Sequence, residues 1–276
     1  MKFSTASIAL TTLALIKQAS AYSALGISYS PYTDAGDCKT SDEVATDLAQ
    51  LTNFTYIRLY GVDCSQVEYV LNAKSSSQKI FQGIYYMDEI EAGVEAIADA
   101  ISTTGSSWDD FVTISIGNEL VNSGSATVEQ VSSYVSTGRT ALTAAGYTGD
   151  VVAVDTFIAV IDNPGLCNLS DYMAVNAHAY FDYNTAAADA GPWVLEQIQR
   201  VWYACSGEKS VVVTESGWPW AGDTYGAAVP SLANQEAALT SIQDTCGDDV
   251  YMFSAFDHKW ASPGAYDVEQ YFGIIH

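Results

Sequence analysis

Positive charge is scarce in this sequence. Ten lysine and arginine residues stand against 33 aspartates and glutamates, which gives a formal net charge of −23 at pH 7. A protein that binds nucleic acid electrostatically needs clustered lysine and arginine, so we expect no nucleic-acid partner. Histidine is also scarce, with three residues, and none of the five cysteines stands in a C-x-x-C pair. We therefore expect no metal site and no cofactor.

Long uncharged segments are absent after residue 21, which excludes a later membrane-spanning helix of about 20 residues. At the start of the chain, Lys2 precedes an apolar stretch over residues 8–16, and residues 19–21 are small. This order is typical of a secretory signal peptide. We expect cleavage after Ala21, a secreted monomer without a membrane partner, and one domain over residues 22–276.

Secretion permits disulfides and N-glycosylation. Two glycosylation sequons are present, at Asn53 and Asn168. Five cysteines cannot all pair within one chain, so at least one thiol stays free. The preferred scheme is Cys38 with Cys64 and Cys167 with Cys205, which leaves Cys246 unpaired.

Eight short runs rich in β-branched and aromatic residues recur along the chain, at residues 24–28, 56–59, 79–84, 112–116, 151–155, 172–177, 210–214 and 251–255. Most of the intervening segments have helical spacing, as in Val194, Ile198 and Val201. Apolar strands that alternate with helices indicate a parallel sheet covered on both faces. Eight such units in about 255 residues predict an α/β fold of the (β/α)8 TIM-barrel type. A doubly wound open sheet is the rival, but no glycine-rich turn follows the first run.

Two acidic residues follow predicted strands on opposite sides of such a barrel. Glu119 comes after the fourth strand and Glu215 after the seventh. Because active sites of TIM barrels lie at the C-terminal strand ends, these two carboxyl groups are expected to face one cleft. A carboxylic acid and a carboxylate across a cleft are the pair that a glycosidase uses, and a separation of about 5 to 5.5 Å belongs to the retaining mechanism.

These motifs carry a family resemblance. The runs Ile116-Gly117-Asn118-Glu119 and Glu215-Ser216-Gly217-Trp218-Pro219 resemble glycoside hydrolase family 17, the β-1,3-glucanases. Segments 28–32, 57–61 and 176–181 are similar to the fungal cell-wall branch, that of the soluble cell-wall glucosidases. The resemblance implies a retaining enzyme of the fungal cell wall that acts on β-1,3-glucan, with Glu119 as acid/base and Glu215 as nucleophile.

Other residues at strand ends are candidates for supporting roles. The resemblance implies that Asn118 bonds the sugar 2-hydroxyl. Arg58 ends the second strand, where its guanidinium is expected to keep the nucleophile ionised. Tyr180 is expected to donate its hydroxyl to Glu215, and His178 lies on the same face by strand alternation. Plant members of the family usually carry tyrosine at the position of His178, so the sugar contacts on this side are expected to differ.

Aromatic residues follow five of the eight strands and are expected to stack on pyranose rings; they are Tyr29, Tyr60, Tyr86, Trp218 and Trp260. Asp257 and Lys259 near the eighth strand are predicted to contact sugar hydroxyls, with a surface ion pair as the alternative. Two other functions stay open at this point. One is a non-catalytic glucan-binding protein, and the other is a barrel glycosidase of different linkage specificity, such as a mannanase or a cellulase.

Overall fold

The computed structural model describes residues 24–276, so the predicted signal peptide lies outside the described residues. Eight parallel strands close into a barrel in which each strand pairs with the next and the eighth pairs with the first. The strands are β1 (Gly26–Ser28), β2 (Tyr56–Leu59), β3 (Lys79–Ile84), β4 (Phe111–Asn118), β5 (Asp150–Thr156), β6 (Met173–Asn176), β7 (Val211–Ser216) and β8 (Val250–Met252). The (β/α)8 prediction is confirmed, and every predicted run contains or overlaps a strand.

Within residues 24–276, seven α-helices surround the barrel: α1 (Ser41–Leu48), α2 (Gln66–Ala73), α3 (Ile90–Thr104), α4 (Val128–Ala144), α5 (Phe157–Asp162), α6 (Ala190–Ala204) and α7 (Leu232–Cys246). Short 3-10 helices lie at Trp108–Asp110, Pro164–Asn168, Ala179–Phe181, Ala187–Asp189, Gly247–Asp249 and Ala265–Asp267. Local chemistry sets several boundaries. Thr40 and Thr127 form capping boxes that satisfy backbone amides at the starts of α1 and α4. Among the helices of residues 24–276, none has the length and apolarity that a bilayer span requires.

Breaks in strand register occur beside the polar residues of the barrel mouth. The ladder between β4 and β5 shifts before Asn118, and the ladder between β6 and β7 shifts at Asn176, which is paired with Glu215. A third shift lies between Val213 and Ser216 on β7. Such irregularities change the direction in which the following side chains point. These polar side chains therefore face the mouth of the barrel.

Two disulfides hold the periphery. Cys38 is bonded to Cys64, Cys167 to Cys205, and Cys246 is a buried free thiol, which is the pairing preferred from the sequence. Closure of loops of this length restricts the unfolded chain, and each disulfide contributes about 3.5 to 4 kcal/mol. The asparagines of both sequons, Asn53 and Asn168, are exposed, and their glycosylation stays a prediction.

Candidate active site

A cleft with a volume of about 920 Å³ lies at the C-terminal ends of the strands. It brings Asn118, Glu119, His178 and Glu215 together, although they come from three separate strand ends. The two candidate catalytic acids therefore share one cleft, at the end of the barrel where the sequence analysis placed them.

Glu215 lies at the floor of the cleft, on β7, and only 6% of its surface is exposed. Arg58 Nη1 donates to its Oε1 at 2.6 Å, and His178 Nε2 lies 3.4 Å from its Oε2. The guanidinium is itself fixed, since Nη1 also donates to the carbonyl of Thr214 at 2.9 Å and Nη2 donates to Asn118 Oδ1 at 2.9 Å. Its central carbon lies 4.4 Å from the ring centre of Tyr60.

This arrangement keeps Glu215 ionised. Burial alone raises the pKa of a carboxyl group because it penalises the charged form. At Glu215 the positive charge of Arg58 and the bond from His178 outweigh burial and lower the pKa to about 2. Arg58 thus occupies the place predicted for a residue that supports the nucleophile.

Glu119 follows β4 directly and adopts a left-handed backbone conformation, with φ of 53°. Its amide donates to the carbonyl of Val154 at 2.9 Å, and its Oε1 accepts a bond from Asn176 Nδ2 at 2.8 Å. Burial raises the pKa of Glu119, the negative charge of Glu215 raises it further, and the Asn176 bond offsets only part of this rise. The two acids consequently differ in the protonation state that their surroundings favour.

Asn176 and Thr214 form a buried relay behind Glu119 that the sequence analysis did not identify. The Thr214 hydroxyl donates to Asn176 Oδ1 at 2.8 Å, which orients the amide so that its Nδ2 faces Glu119. Asn176 and Thr214 are 1% and 0% exposed. The available signal was their strand-end position, since Asn176 ends β6 and Thr214 precedes Glu215.

The segment that carries Glu119 is anchored by another residue missed at the sequence level. Asp155 on β5 accepts backbone bonds from Val121 at 2.9 Å and from Asn122 at 3.1 Å. It also accepts from the amide of Thr156 at 2.9 Å. The sequence around Asp155 did not indicate these hydrogen bonds, because Val121 and Asn122 lie more than 30 positions away in the chain.

Three predicted sugar platforms line the cleft. Tyr60 is half-buried beneath Arg58, whereas Tyr86 and Trp260 are 56% and 41% exposed. The Trp260 ring packs 5.0 Å from that of Tyr32, which also lines the cleft. Further lining residues were not predicted: Gly36, Asp63, Tyr85, Phe157, Ile158, Phe181, His258, Glu269 and Phe272.

Three predictions about aromatic residues were wrong. The hydroxyl of Tyr180 donates to the carbonyl of Asp223 and not to Glu215, because the short 3-10 helix after β6 turns its ring toward Trp218. Tyr29 is 1% exposed and donates to Asp47 at 2.7 Å, outside the cleft. Trp218 is fully buried and donates to the carbonyl of Val229 at 3.1 Å. Neither Tyr29 nor Trp218 presents a face to a sugar.

The predicted contacts of Asp257 and Lys259 with sugar were also wrong, since neither residue lines the cleft. They form the alternative, an ion pair at 3.0 Å. Asp257 additionally accepts bonds from Trp220 Nε1 at 3.0 Å and from the amide of Gly273 at 2.9 Å. The pair therefore fastens the C-terminal segment to the barrel.

Comparison with known proteins identifies the family. The model of the BtgE/BtgC glycoside hydrolase domain matches residues 26–273. A Saccharomyces cerevisiae protein named probable family 17 glucosidase SCW10 is 66% identical over 252 residues, which cover 91% of this chain and 64% of that protein. The cell surface mannoprotein MP65 of Candida albicans is 59% identical over 251 residues, with 91% and 66% coverage. The chain thus spans slightly less than two thirds of the length of the yeast relative.

Solved structures agree on the fold. The glycoside hydrolase family 17 β-1,3-glucanosyltransferase from Rhizomucor miehei aligns with a TM-score of 0.77 at 21% identity, covering 92% of this chain and 93% of that one. An active-site mutant of the Rhizomucor miehei β-1,3-glucanosyltransferase, solved with laminaritriose, aligns with a TM-score of 0.74 at the same identity and coverage. The chain therefore belongs to the BtgE/BtgC glycoside hydrolase domain family, within glycoside hydrolase family 17.

Proposed function

We propose that this protein is a secreted retaining β-1,3-glucan glycosidase that remodels the fungal cell wall. The observation that carries the proposal is the contrast between an ionised Glu215 and a Glu119 whose pKa is raised, within one cleft. The substrate is supported by relatives whose names include a family 17 glucosidase and a cell surface mannoprotein, and by a structural neighbour that was solved with laminaritriose.

The first step of the proposed reaction forms a covalent intermediate. A carboxylate oxygen of Glu215 attacks the anomeric carbon, and the bond between this carbon and the glycosidic oxygen breaks. Glu119 transfers its proton to the departing oxygen, so the leaving sugar departs as a neutral alcohol. The raised pKa of Glu119 suits this task because it keeps a proton available at higher pH.

The second step releases the sugar. Glu119, now ionised, removes a proton from water or from a sugar hydroxyl, whose oxygen attacks the anomeric carbon and displaces Glu215. Two inversions give net retention. Hydrolysis and transfer share the same intermediate and differ only in the acceptor that enters the cleft.

The neighbouring residues have supporting roles in this scheme. Arg58 and His178 stabilise the carboxylate of Glu215, both before attack and when it departs in the second step. Asn118 Oδ1 is occupied by Arg58 and by Asn176, at 2.9 Å and 3.3 Å. Its Nδ2 is therefore the group that donates to a sugar hydroxyl in the proposed complex.

Product stereochemistry tests the proposal. We expect NMR of the first sugar released from a β-1,3-linked oligosaccharide to show the β anomer, with transfer products that increase with substrate concentration. Initial appearance of the α anomer would overturn the mechanism. Preference for a β-1,4-linked glucan or mannan would identify another linkage specificity, and binding without turnover would identify a glucan-binding protein.

A further inference from the structure

Three tyrosines form a tyrosine ledge beside the cleft; the ledge comprises Tyr183, Tyr225 and Tyr266. Tyr225 and Tyr266 are stacked, with ring centres 4.4 Å apart, and Tyr183 meets Tyr225 edge-on at 5.3 Å. Tyr183 is 59% exposed and Tyr266 is 36% exposed. None of the three lines the catalytic cleft.

The backbone fixes the ledge in place. The carbonyl of Tyr183 accepts a bond from Ala227 at 2.8 Å, and that of Tyr266 accepts one from Asp223 at 2.7 Å. Both attachments come from the loop between β7 and α7. At Gly226 a Cβ atom would lie 2.3 Å from the carbonyl oxygen of Tyr183, so only glycine permits this close approach. The loops that carry Tyr183 and Tyr266 are thus docked on a common support.

Tyr266 is held in a strained conformation. It and Asp267 have φ values of 61° and 53°, in the left-handed region that residues other than glycine seldom occupy. Two consecutive residues of this kind cost free energy, and such strain concentrates at ligand clamps and functional sites. Here the strained backbone places the Tyr266 ring flat against Tyr225.

The ledge continues the wall of the cleft. Tyr180 packs between the cleft and the tyrosine ledge. Its ring centre lies 5.4 Å from that of Phe181 and 6.5 Å from that of Tyr266. Phe181 lines the cleft and is 38% exposed. Glu269, which follows Tyr266 by three residues, lines the cleft as well. A chain that leaves the cleft past Phe181 would therefore reach the ledge.

The chemistry of these loops favours a neutral ligand. Residues 182–186, 221–228 and 264–268 contain three aspartates but no lysine or arginine. An anionic ligand would find no positive partner in these segments and would be repelled. Tyrosine instead offers an apolar ring for the C–H face of a sugar and a hydroxyl for its polar edge.

We propose that the tyrosine ledge is a second binding platform for glucan, which holds the part of a polymeric chain that extends beyond the cleft past Phe181. This inference rests on the proposed function, because it takes the polymer to be the substrate. It implies that long chains bind more tightly than a trisaccharide does.

The test compares polymer and trisaccharide in a variant that lacks the ledge. We choose Tyr183→Ser with Tyr266→Asn, because asparagine tolerates the left-handed conformation. The matched control is Tyr203→Ser, which removes an 81% exposed tyrosine near the C-terminal end of α6, away from the barrel mouth. We expect the double variant to raise KM for soluble linear β-1,3-glucan by about 3- to 10-fold. The kcat/KM for a β-1,3-linked trisaccharide should stay at the wild-type value.

A binding arm separates this inference from the proposed function. Cosedimentation with insoluble β-1,3-glucan is measured for Glu215→Gln with and without the ledge substitutions, and no turnover is needed. Weaker binding in the absence of the ledge supports the platform. Unchanged binding, an equal loss in the Tyr203→Ser control, or parallel losses on polymer and trisaccharide would overturn it. Absence of turnover in the wild-type protein would refute the proposed function alone.

Discussion

Glu119 and Glu215 present the same functional group to the same cleft, and they differ in the side chain that donates a hydrogen bond to each carboxyl group. Behind Glu215 is a cation, since Arg58 is itself buried and bonded on several sides. Behind Glu119 is a neutral amide, that of Asn176. The chemical roles of two identical side chains can therefore be assigned from their neighbours, because a cation favours the ionised form and burial beside another acid favours the protonated form.

The largest effect is expected from removal of the ionised member. Glu215→Gln keeps the size of the side chain but deletes the proposed nucleophile, and we expect kcat to fall by a factor on the order of 10⁴ or more. Turnover of a β-1,3-linked oligosaccharide measures it. Glu208→Gln, an exposed glutamate before β7, is the matched control and should retain full activity. Comparable activity in the two variants would refute the role of Glu215.

Removal of Glu119, the acid whose pKa is raised, should have a selective effect. Glu119→Ala is expected to lower kcat/KM by about 10²- to 10⁴-fold on natural glucan, where the leaving oxygen needs a proton. A substrate with an activated aryl leaving group should lose far less in the glycosylation step. Burst kinetics on the two substrate types separate this step from release of the intermediate. Equal damage on both would show that Glu119 is not the acid.

Stability should respond in opposite directions at the two sites. At pH 7, Glu215→Gln leaves Arg58 buried without its anion and is expected to lower the free energy of unfolding by about 3 kcal/mol. Glu119→Gln removes a carboxylate that burial and Glu215 destabilise, and is expected to raise that free energy by about 1 kcal/mol. Urea unfolding of both variants measures the pair of shifts. If both substitutions changed the free energy of unfolding in the same direction, the proposed difference between the two sites would be wrong.

The pH dependence follows from the same two shifts. Because the pKa of Glu215 in the folded protein is about 2, its stabilising contribution is present above the unfolded value near 4.5 and is lost as the pH falls from there to about 2. Wild-type unfolding curves in this range should show the loss. Glu215→Gln should show a smaller loss, which comes from other carboxyl groups with lowered pKa values, such as Asp171. The alkaline limb of the rate profile should instead follow Glu119, whose raised pKa moves it upward.

The smallest effect is expected at the relay. Thr214→Val removes the hydroxyl that orients Asn176, so the bond to Glu119 that lowers its pKa is weakened. We expect kcat to fall by about 3- to 10-fold, the energy of a single hydrogen bond, with the alkaline limb displaced to higher pH. Thr214→Ser keeps the hydroxyl and should restore both. If kcat falls but the alkaline limb of the pH–rate profile stays where it is in the wild type, Thr214 acts only through packing.

The barrel could be predicted because its strands are apolar on both faces and alternate with helices, and this pattern survives in the sequence. The run 79–84 coincides with β3, whereas β8 is Val250–Met252 and not 251–255. The error arises because the chain leaves the barrel after Met252 while its side chains remain buried. The apolar pattern in the sequence therefore extends beyond Met252, where the hydrogen-bonded strand β8 ends.

The two acids could be placed at the mouth for the same reason, since strand order alone determines which ends meet. The roles of single aromatics could not. Tyr180, Tyr29 and Trp218 follow strands just as Trp260 does, yet whether a ring faces the cleft depends on the path of the loop beyond it. Contacts such as that of Tyr180 with Asp223 join residues 43 positions apart, and no local pattern encodes them.

The disulfide between Cys38 and Cys64 has a consequence for when the enzyme matures. It joins two loops whose tips also meet through the 2.7 Å bond from Tyr32 to Asp63, and Tyr32 in turn supports Trp260. One wall of the cleft is thus covalently braced, whereas the barrel strands are joined to one another by hydrogen-bonded ladders. We expect a chain kept under reducing conditions to form the barrel but to bind glucan weakly. Formation of this disulfide under oxidising conditions would then complete the binding wall after the fold has formed.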